Sequence, residues 1–404
     1  MKNPLWLSHN FLTLVAMILG VIAGCLDHSA IMGLAEIISD ITVRLMKLVA
    51  LPLLFLSLVS AAAHFSSFGQ IKKLGIKIVT YTLLTTFIAA LIAETLYVSF
   101  SSYLLGAHVQ GEHKVSGVEK GFFNTILNMF PDNVVGAFLD NNVLAVVLMA
   151  LILAVSLLTI DIKEREIVFG FFKGLLNAIM RIVHVGLRFL PLAVFAFIAI
   201  LTRQIVYERT DSLNAIGGLT LTVIAANLIQ GIIVLPILLR LRGINPWALF
   251  LQVKEALLVA FFTRSSMATL PVTLDRAVKG ARIKEDLAKL SLPLCTTINM
   301  NGCAQFILIS VYFVCAFSGH PLSALDHVGM IFLAVLAAVG NAGVPMGCFF
   351  LASSILASKD IPLHLMGSIL PLYTFIDMVE TSLNVWSDIS ITKMVDREVY
   401  RGES

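Results

Sequence analysis

The sequence predicts an all-α polytopic membrane protein with eight transmembrane helices and two further segments that enter the bilayer and turn back. Three observations carry that prediction. The 404-residue chain is 58% hydrophobic, only 13% charged, and has a mean hydropathy of +0.93, whereas soluble globular domains are about 25% charged. Eight apolar stretches are long enough to cross roughly 30 Å of hydrocarbon, some of them tilted. Two others carry glycine, proline and polar residues where a continuous span would carry leucine. The net charge of +3 lies in the loops and gives no sign of a nucleic-acid partner.

In chain order the spans are 11–26, 42–64, 76–104, 143–160, 166–201, 214–240, 287–317 and 364–393. Lys2, the apolar run from Phe11 and "IAGC" ending at Cys25 resemble a lipoprotein leader, but further spans follow at once, so an uncleaved first helix is the better reading. Lys72, Lys73 and Lys77 follow the second span, Lys163 and Arg165 the fourth, Arg240 and Arg242 the sixth. Arg276 to Lys289 precede the seventh, and Lys393, Arg397 and Arg401 close the chain. The positive-inside rule then puts both termini in the cytoplasm, at the plasma (inner) membrane of a bacterium, and requires an even number of crossings. The two remaining apolar stretches, 247–275 and 328–358, must therefore return to the side they came from.

Both of these stretches read as broken. The first contains "FFTRSSMATLPVTL" and the second "VGNAGVPMGC". Glycine and proline weaken helices, and non-helical backbone at membrane depth survives only where protein shields it or a wet cavity lies beside it. Each precedes a full span, and such paired interruptions mark inverted-repeat transporters with a site at the repeat interface. The seventh span has its own break at "CTTINMNGCAQF", where unwinding would offer oxygens to a dehydrated cation such as Na⁺.

The polar residues follow the same logic. Asp377, Glu380, Thr381, Asn384 and Asp388 recur at helical steps along the last span and share one face. A carboxylate at the bilayer centre costs roughly 2.5–3.5 kcal/mol, so a stripe of them needs partners. Pairing with Arg264 or capping a helix end near the interface for Asp377 and Glu380, and snorkelling for Asp388, are the plain alternatives to a zwitterion and cation site. Arg264, Ser265 and Ser266 sit at the tip of the first interrupted stretch, where a helix N-terminus favours a carboxylate, although paired serines also back-bond to their own helix. Thr85 and Thr86 read first as helix-contact residues. The five cysteines have no paired spacing and read as small buried hydrophobes rather than disulfides or metal ligands. No HExxH, DDxxD or GxSxG motif suggests an enzyme. A channel stays open as a second class, although its filter would normally repeat around one short loop.

The chain resembles the dicarboxylate/amino acid:cation symporter family, which includes the glutamate transporters and their bacterial homologues. "LVALPLLFLSLVSA", "NNVLAVVLMALILAVSL", "LRFLPLAVFAFIA", "TRSSMATLPVT", "TINMNG", "NAGVPMG" and "D..ET..N...D" occur in the family order over nearly the whole length. The resemblance implies a homotrimer of the glutamate-transporter-homologue fold. Residues 1–72 and 121–210 would form a static scaffold. Residues 73–104 and 211–404, with hairpins at about 247–275 and 328–358, would form a domain that moves like an elevator. Ser265 and Ser266 match substrate-carboxylate positions and Asp377 the amino-group position, with Thr381 and Asn384 beside it. Arg264, Val344, Gly347 and Glu380 complete the implied substrate site. Sodium ligands are implied at Asn299, Asn384 and Asp388, at Thr297 and Met300, and at Thr85, Thr86 and Asn301. No organic cofactor is implied.

The departures from the family pattern set the substrate expectation. Acidic-substrate members carry arginine where this chain has Glu380, and like charges face each other at a cost of several kcal/mol. The "ET..N" pattern behind "FFTRSS" is similar to the sodium/serine–threonine branch. A small neutral L-amino acid, serine or threonine, is therefore the expected substrate, with Arg264 neutralising Glu380. An acidic or cationic amino acid or cystine, with H⁺ in place of some Na⁺, is the alternative. Asn301 stands where the family has aspartate and puts the third sodium site in question. Met346 and Cys348 replace glycines of the second hairpin.

Overall fold

The computed structural model describes residues 9–62, 72–104, 130, 133–139, 142–207, 212–320, 322–341, 346–359 and 361–400. Among them every regular element is helical and there is no strand. The elements are α1 (His9–Leu26), α2 (Ser29–Ala62), α3 (Lys72–Leu104), α4 (Val134–Leu139), α5 (Val143–Leu157), α6 (Ile162–Arg188) and α7 (Leu190–Tyr207). After them come α8 (Ser212–Ile229), α9 (Leu235–Leu241), α10 (Pro246–Thr263), α11 (Ser266–Asp275), α12 (Glu285–Ile298), α13 (Asn301–Phe317), α14 (Ala324–Val339), α15 (Gly347–Ser358) and α16 (His364–Tyr400).

Among the described residues five helical stretches are long and apolar enough to cross a membrane: 74–100, 190–207, 216–241, 246–263 and 285–317. The expected single span over 166–201 is instead two helices, broken at Phe189. Phe189 N bonds only to Gly186 O, three residues back, and Pro191 follows where it has no N–H to give to the preceding turn. α7 then packs along α1. Gly20 and Gly24 make this approach possible. A Cβ on Gly24 would stand 2.5 Å from Ala199 O, and one on Gly20 2.8 Å from Phe195 O. The glycine of "IAGC" is thus a contact surface for another helix, the small-xxx-small spacing of membrane pairs.

Both interrupted stretches are divided into two helices. α10 and α11 pack on each other across Arg264, whose backbone is left-handed at φ 54°. Ser265 caps α11 by accepting from Ala268 N at 3.2 Å. The second stretch divides into α14 and α15, and Met346 enters α15 at φ 61°, a conformation costing roughly 1–2 kcal/mol for a residue with a Cβ. Residues 342–345, including Val344, lie outside the described residues. The seventh span breaks at Asn299 and Met300, between α12 and α13.

α13 is the centre of the fold: α3, α8, α14, α15 and α16 all pack on it. Between α8 and α9 one turn widens to π geometry at Gln230–Val234. There the Trp386 indole N–H of α16 donates to Gly231 O at 3.1 Å, and Gln230 reaches Thr85 O at 3.1 Å. Wide turns of this kind free backbone oxygens for side-chain partners.

Candidate functional site

The polar ladder of α16 points inward. Asp377, Glu380, Thr381, Asn384 and Asp388 are all buried, and the broken span contributes Asn299 and Asn301, both fully buried. Local sequence explains why the break is stable. An uninterrupted helix would use Gly302 N to bond the Ile298 carbonyl. Here Gly302 N donates to Asn384 Oδ1 at 2.9 Å instead. Glycine is needed at that point, since a Cβ would lie 2.7 Å from Asn227 Oδ1 and 3.0 Å from Glu380 Cα.

Around the break two hydrogen-bonded groups form. Asp388 Oδ1 accepts from Asn299 Nδ2 at 2.8 Å and Oδ2 from Thr296 Oγ1 at 3.4 Å. Asn299 Oδ1 in turn accepts from Thr85 Oγ1 at 3.3 Å. In the second group Thr86 Oγ1 donates to Asn301 Oδ1 at 2.8 Å, and Asn301 Nδ2 donates to Ser387 Oγ at 2.9 Å. Oxygen-rich groups of this kind suit a hard monovalent cation. Thr297 and Met300 are expected to offer their backbone carbonyls, and of these the Met300 carbonyl accepts from Ala304 N at 3.1 Å. The Thr297 hydroxyl bonds back to Pro293 O at 3.0 Å.

A small cavity lies beside these groups, lined by Arg264, Ser266, Asp377, Glu380, Thr381 and Asn384. Met300, Cys303 and Asn341 complete its wall. Its volume of about 10 Å³ is the room of one water. Asp377 is approached by the Thr381 hydroxyl and the Met346 backbone N–H, with the Arg264 charge nearby. Glu380 Oε2 accepts from Tyr373 Oη at 3.4 Å. Asp377 Oδ2, Glu380 Oε1 and Asn341 Oδ1 are buried without a hydrogen-bond partner. Bare buried oxygens are costly, and these three residues line one cavity.

Several expectations need correcting. Glu380 takes its hydrogen bond from Tyr373, not from Arg264. Ser265 caps α11 and does not line the cavity, and Gly347 opens α15 against Asn341. Cys303 and Cys348 are not separate buried hydrophobes but are joined by a disulfide, with Cα atoms 5.4 Å apart. Cys25 is exposed, whereas Cys295 and Cys315 are buried free thiols. Tyr373, Asn341, Asn227 and Ser387 escaped the sequence reading. Tyr373 was findable, for it stands four residues before Asp377 and seven before Glu380, on the same face.

Comparison with known proteins is consistent across the chain. The family model described as the sodium:dicarboxylate symporter family matches residues 10–398. The proton/glutamate-aspartate symporter of Escherichia coli K12 is 25% identical over 391 residues, covering 92% of this chain and 88% of that protein. Excitatory amino acid transporter 3 of Mus musculus is 26% identical over 445 residues, covering 95% and 84%. The proton/sodium-glutamate symport protein of Bacillus subtilis is 23% identical over 384 residues, covering 92% and 88%.

Proposed function

This chain belongs to the sodium:dicarboxylate symporter family, and from that premise we propose that it is a cation-coupled symporter that accumulates an acidic amino acid. It is an integral membrane protein of a transporter family. The names of its relatives specify glutamate or aspartate, carried with H⁺ or Na⁺. They do not support the serine/threonine expectation drawn from Glu380, and the acidic alternative fits them better.

One observation carries the proposal: Asn299, Asn301, Asn384 and Asp388 converge from a broken span and α16 onto Thr85 and Thr86 of α3, away from lipid and water. Burying that much polarity is expensive unless a ligand repays it. Asp388, Asn299 and Thr85 would hold one Na⁺, and Asn301 and Thr86 a second, weaker one because the carboxylate is missing there. The Thr297 carbonyl would be a further ligand, joined by the Met300 carbonyl once that releases Ala304 N. In the cavity, Asp377 would take the substrate amino group and Arg264 with Ser266 its carboxylates, with Thr381 and Asn384 beside them. The charge on Glu380, whose Oε1 has no hydrogen-bond partner, would be balanced by a co-transported cation, H⁺ or Na⁺.

Two further parts of the proposal rest on packing. One apolar cluster draws only on residues of 73–104 and 211–404, from Ile78 to Val395, and another only on 1–72 and 121–210, from Ala23 to Ala199. A third cluster straddles the two groups. This grouping supports a scaffold and a separate moving domain; the elevator movement, the homotrimer and the cytoplasmic termini are proposed from the family resemblance and the basic loops.

Uptake into proteoliposomes tests the reading. Aspartate, glutamate, serine, alanine, lysine and cystine would compete under an imposed Na⁺ or H⁺ gradient. We expect concentrative, gradient-dependent uptake of aspartate or glutamate. Preference for serine would restore the neutral-substrate reading of Glu380, and flux without cation dependence would mean a channel.

A further inference from the structure

Cys303 lies in the first turn of α13 and Cys348 in the first turn of α15, so their sulfurs connect the broken span to the second hairpin. A carboxylate oxygen of Glu380, from α16, lies with both sulfurs in a group whose ligand atoms are all within 4.8 Å of one another. The three side chains are buried, at 3%, 2% and 1% exposure. The Asn341 amide is 3.1 Å from the Cys303 sulfur and 3.5 Å from the Cys348 sulfur.

A disulfide accounts for the two sulfurs but not for their neighbours. Glu380 Oε1 and Asn341 Oδ1 are both buried with no hydrogen-bond partner. An S–S bond gains nothing from a bare carboxylate oxygen beside it. Two thiolates and a carboxylate are, in contrast, a donor set for zinc and related thiophilic ions, with sulfur and oxygen ligands about 2.3 and 2.0–2.2 Å from the metal. The carboxylate also contributes the negative charge that a divalent ion needs in a low-dielectric interior.

We propose that, when the cysteine pair is reduced, Cys303, Cys348 and Glu380 bind one thiophilic divalent cation of the zinc class, with the Asn341 amide N–H donating to the thiolate sulfurs. Each thiol releases its proton to solvent as its sulfur takes the metal. Bound there, the ion ties α13, α15 and α16 together and keeps the hairpin from parting. It would thereby inhibit uptake in competition with the amino acid. Metal binding stands on these side chains alone; the inhibition rests on the function proposed above.

Cadmium is the probe, because cadmium thiolates absorb in the near ultraviolet. The full-length protein in detergent is reduced with a phosphine, which is oxidised to its oxide as the disulfide becomes two thiols, and then titrated with Cd²⁺. One Cd²⁺ per chain with a thiolate charge-transfer band is expected. The band should disappear in Cys303→Ser and in Cys348→Ser, and affinity should fall by about 10–100-fold in Glu380→Gln. Reduced wild-type protein without the band, a band undiminished in Cys303→Ser, or a pair that phosphine cannot reduce in the folded protein would each overturn the proposal. A band in a protein that carries out no uptake would instead remove the transport reading and leave the metal site standing.

Discussion

The helical stretches 246–263 and 285–317 are both apolar enough to span a membrane, yet only 28% of the first is buried, against 89% of an 18-residue apolar window of the second. The first is continuous, presenting Trp247, Leu251, Leu258 and Phe262 outward. The second is broken and holds Asn299, Asn301, Gln305 and Ser310, all fully buried. The difference shows what bilayer and protein each tolerate. Lipid accepts an unbroken helix with any apolar surface, whereas a break is stable only where side chains such as Asn384 and Asp388 take over the lost backbone bonds. Burial is thus the condition for the interruption, and the interruption is the condition for a cation site.

The largest test removes the side chain on which the buried region depends most. Asp388→Ala takes away the partner of both Asn299 and Thr296. Hydrogen bonds to a charged group contribute about 1.5–3 kcal/mol, so sodium affinity, read by the sodium dependence of substrate binding, should fall by about 10–150-fold. Unchanged sodium dependence would sever the link between break and cation. Next comes Gly302→Ala, which pushes a methyl group against Asn227 Oδ1 and the Glu380 backbone. Overpacking of this kind costs about 1–3 kcal/mol, measured as a fall in Tm in detergent, and the Asn384 bond to Gly302 N should loosen with it.

A smaller effect, of opposite sign in sodium, is expected for Asn301→Asp. The new carboxylate would replace an amide already fully used by Thr86 and Ser387. Without a cation it is a buried unpaired charge and should lower Tm. With sodium it should recover, and sodium affinity should rise by about tenfold, or about 1.4 kcal/mol. Equal Tm in sodium and potassium would show that the second oxygen group holds no ion.

How much of this was legible in the sequence follows from the same contrast. The ladder from Asp377 to Asp388 and the break at Asn299 could be read directly, because polar residues and glycine inside an apolar run have few structural explanations. The end of α6 at Phe189 was missed although Arg188 and Pro191 flank it, because proline also sits inside unbroken helices of this chain, at Pro52 and Pro371, and does not by itself mark a break. Gly20 and Gly24 had a signal in their spacing, but the meaning of that spacing depends on which helix comes alongside, here α7 with Ala199. Cys303 and Cys348 are 45 residues apart and lack any motif spacing. Only the meeting of α13 with α15 brings them together. The hydrogen-bond partner of Glu380 was missed for a related reason: the sign of the residue was evident, but Tyr373 meets it through the turn of α16 and not by charge.

The smallest expected effect lies on the outer face. On α8, Leu221 is 69% exposed while its neighbours Thr222 and Val223 are 7% and 0% exposed. Adjacent residues on one helix thus face opposite solvents. Against lipid, truncating a leucine exchanges one apolar contact for another, without the cavity that makes buried truncations costly. Leu221→Ala should therefore change stability by no more than about 0.5 kcal/mol, measured as Tm in detergent and again in lipid nanodiscs. A loss above that in nanodiscs alone would mean that something specific covers the face in a bilayer, another protomer or an ordered lipid. The division between lipid-facing continuous helices and the buried broken one would then have to be redrawn along the assembled surface rather than the single chain.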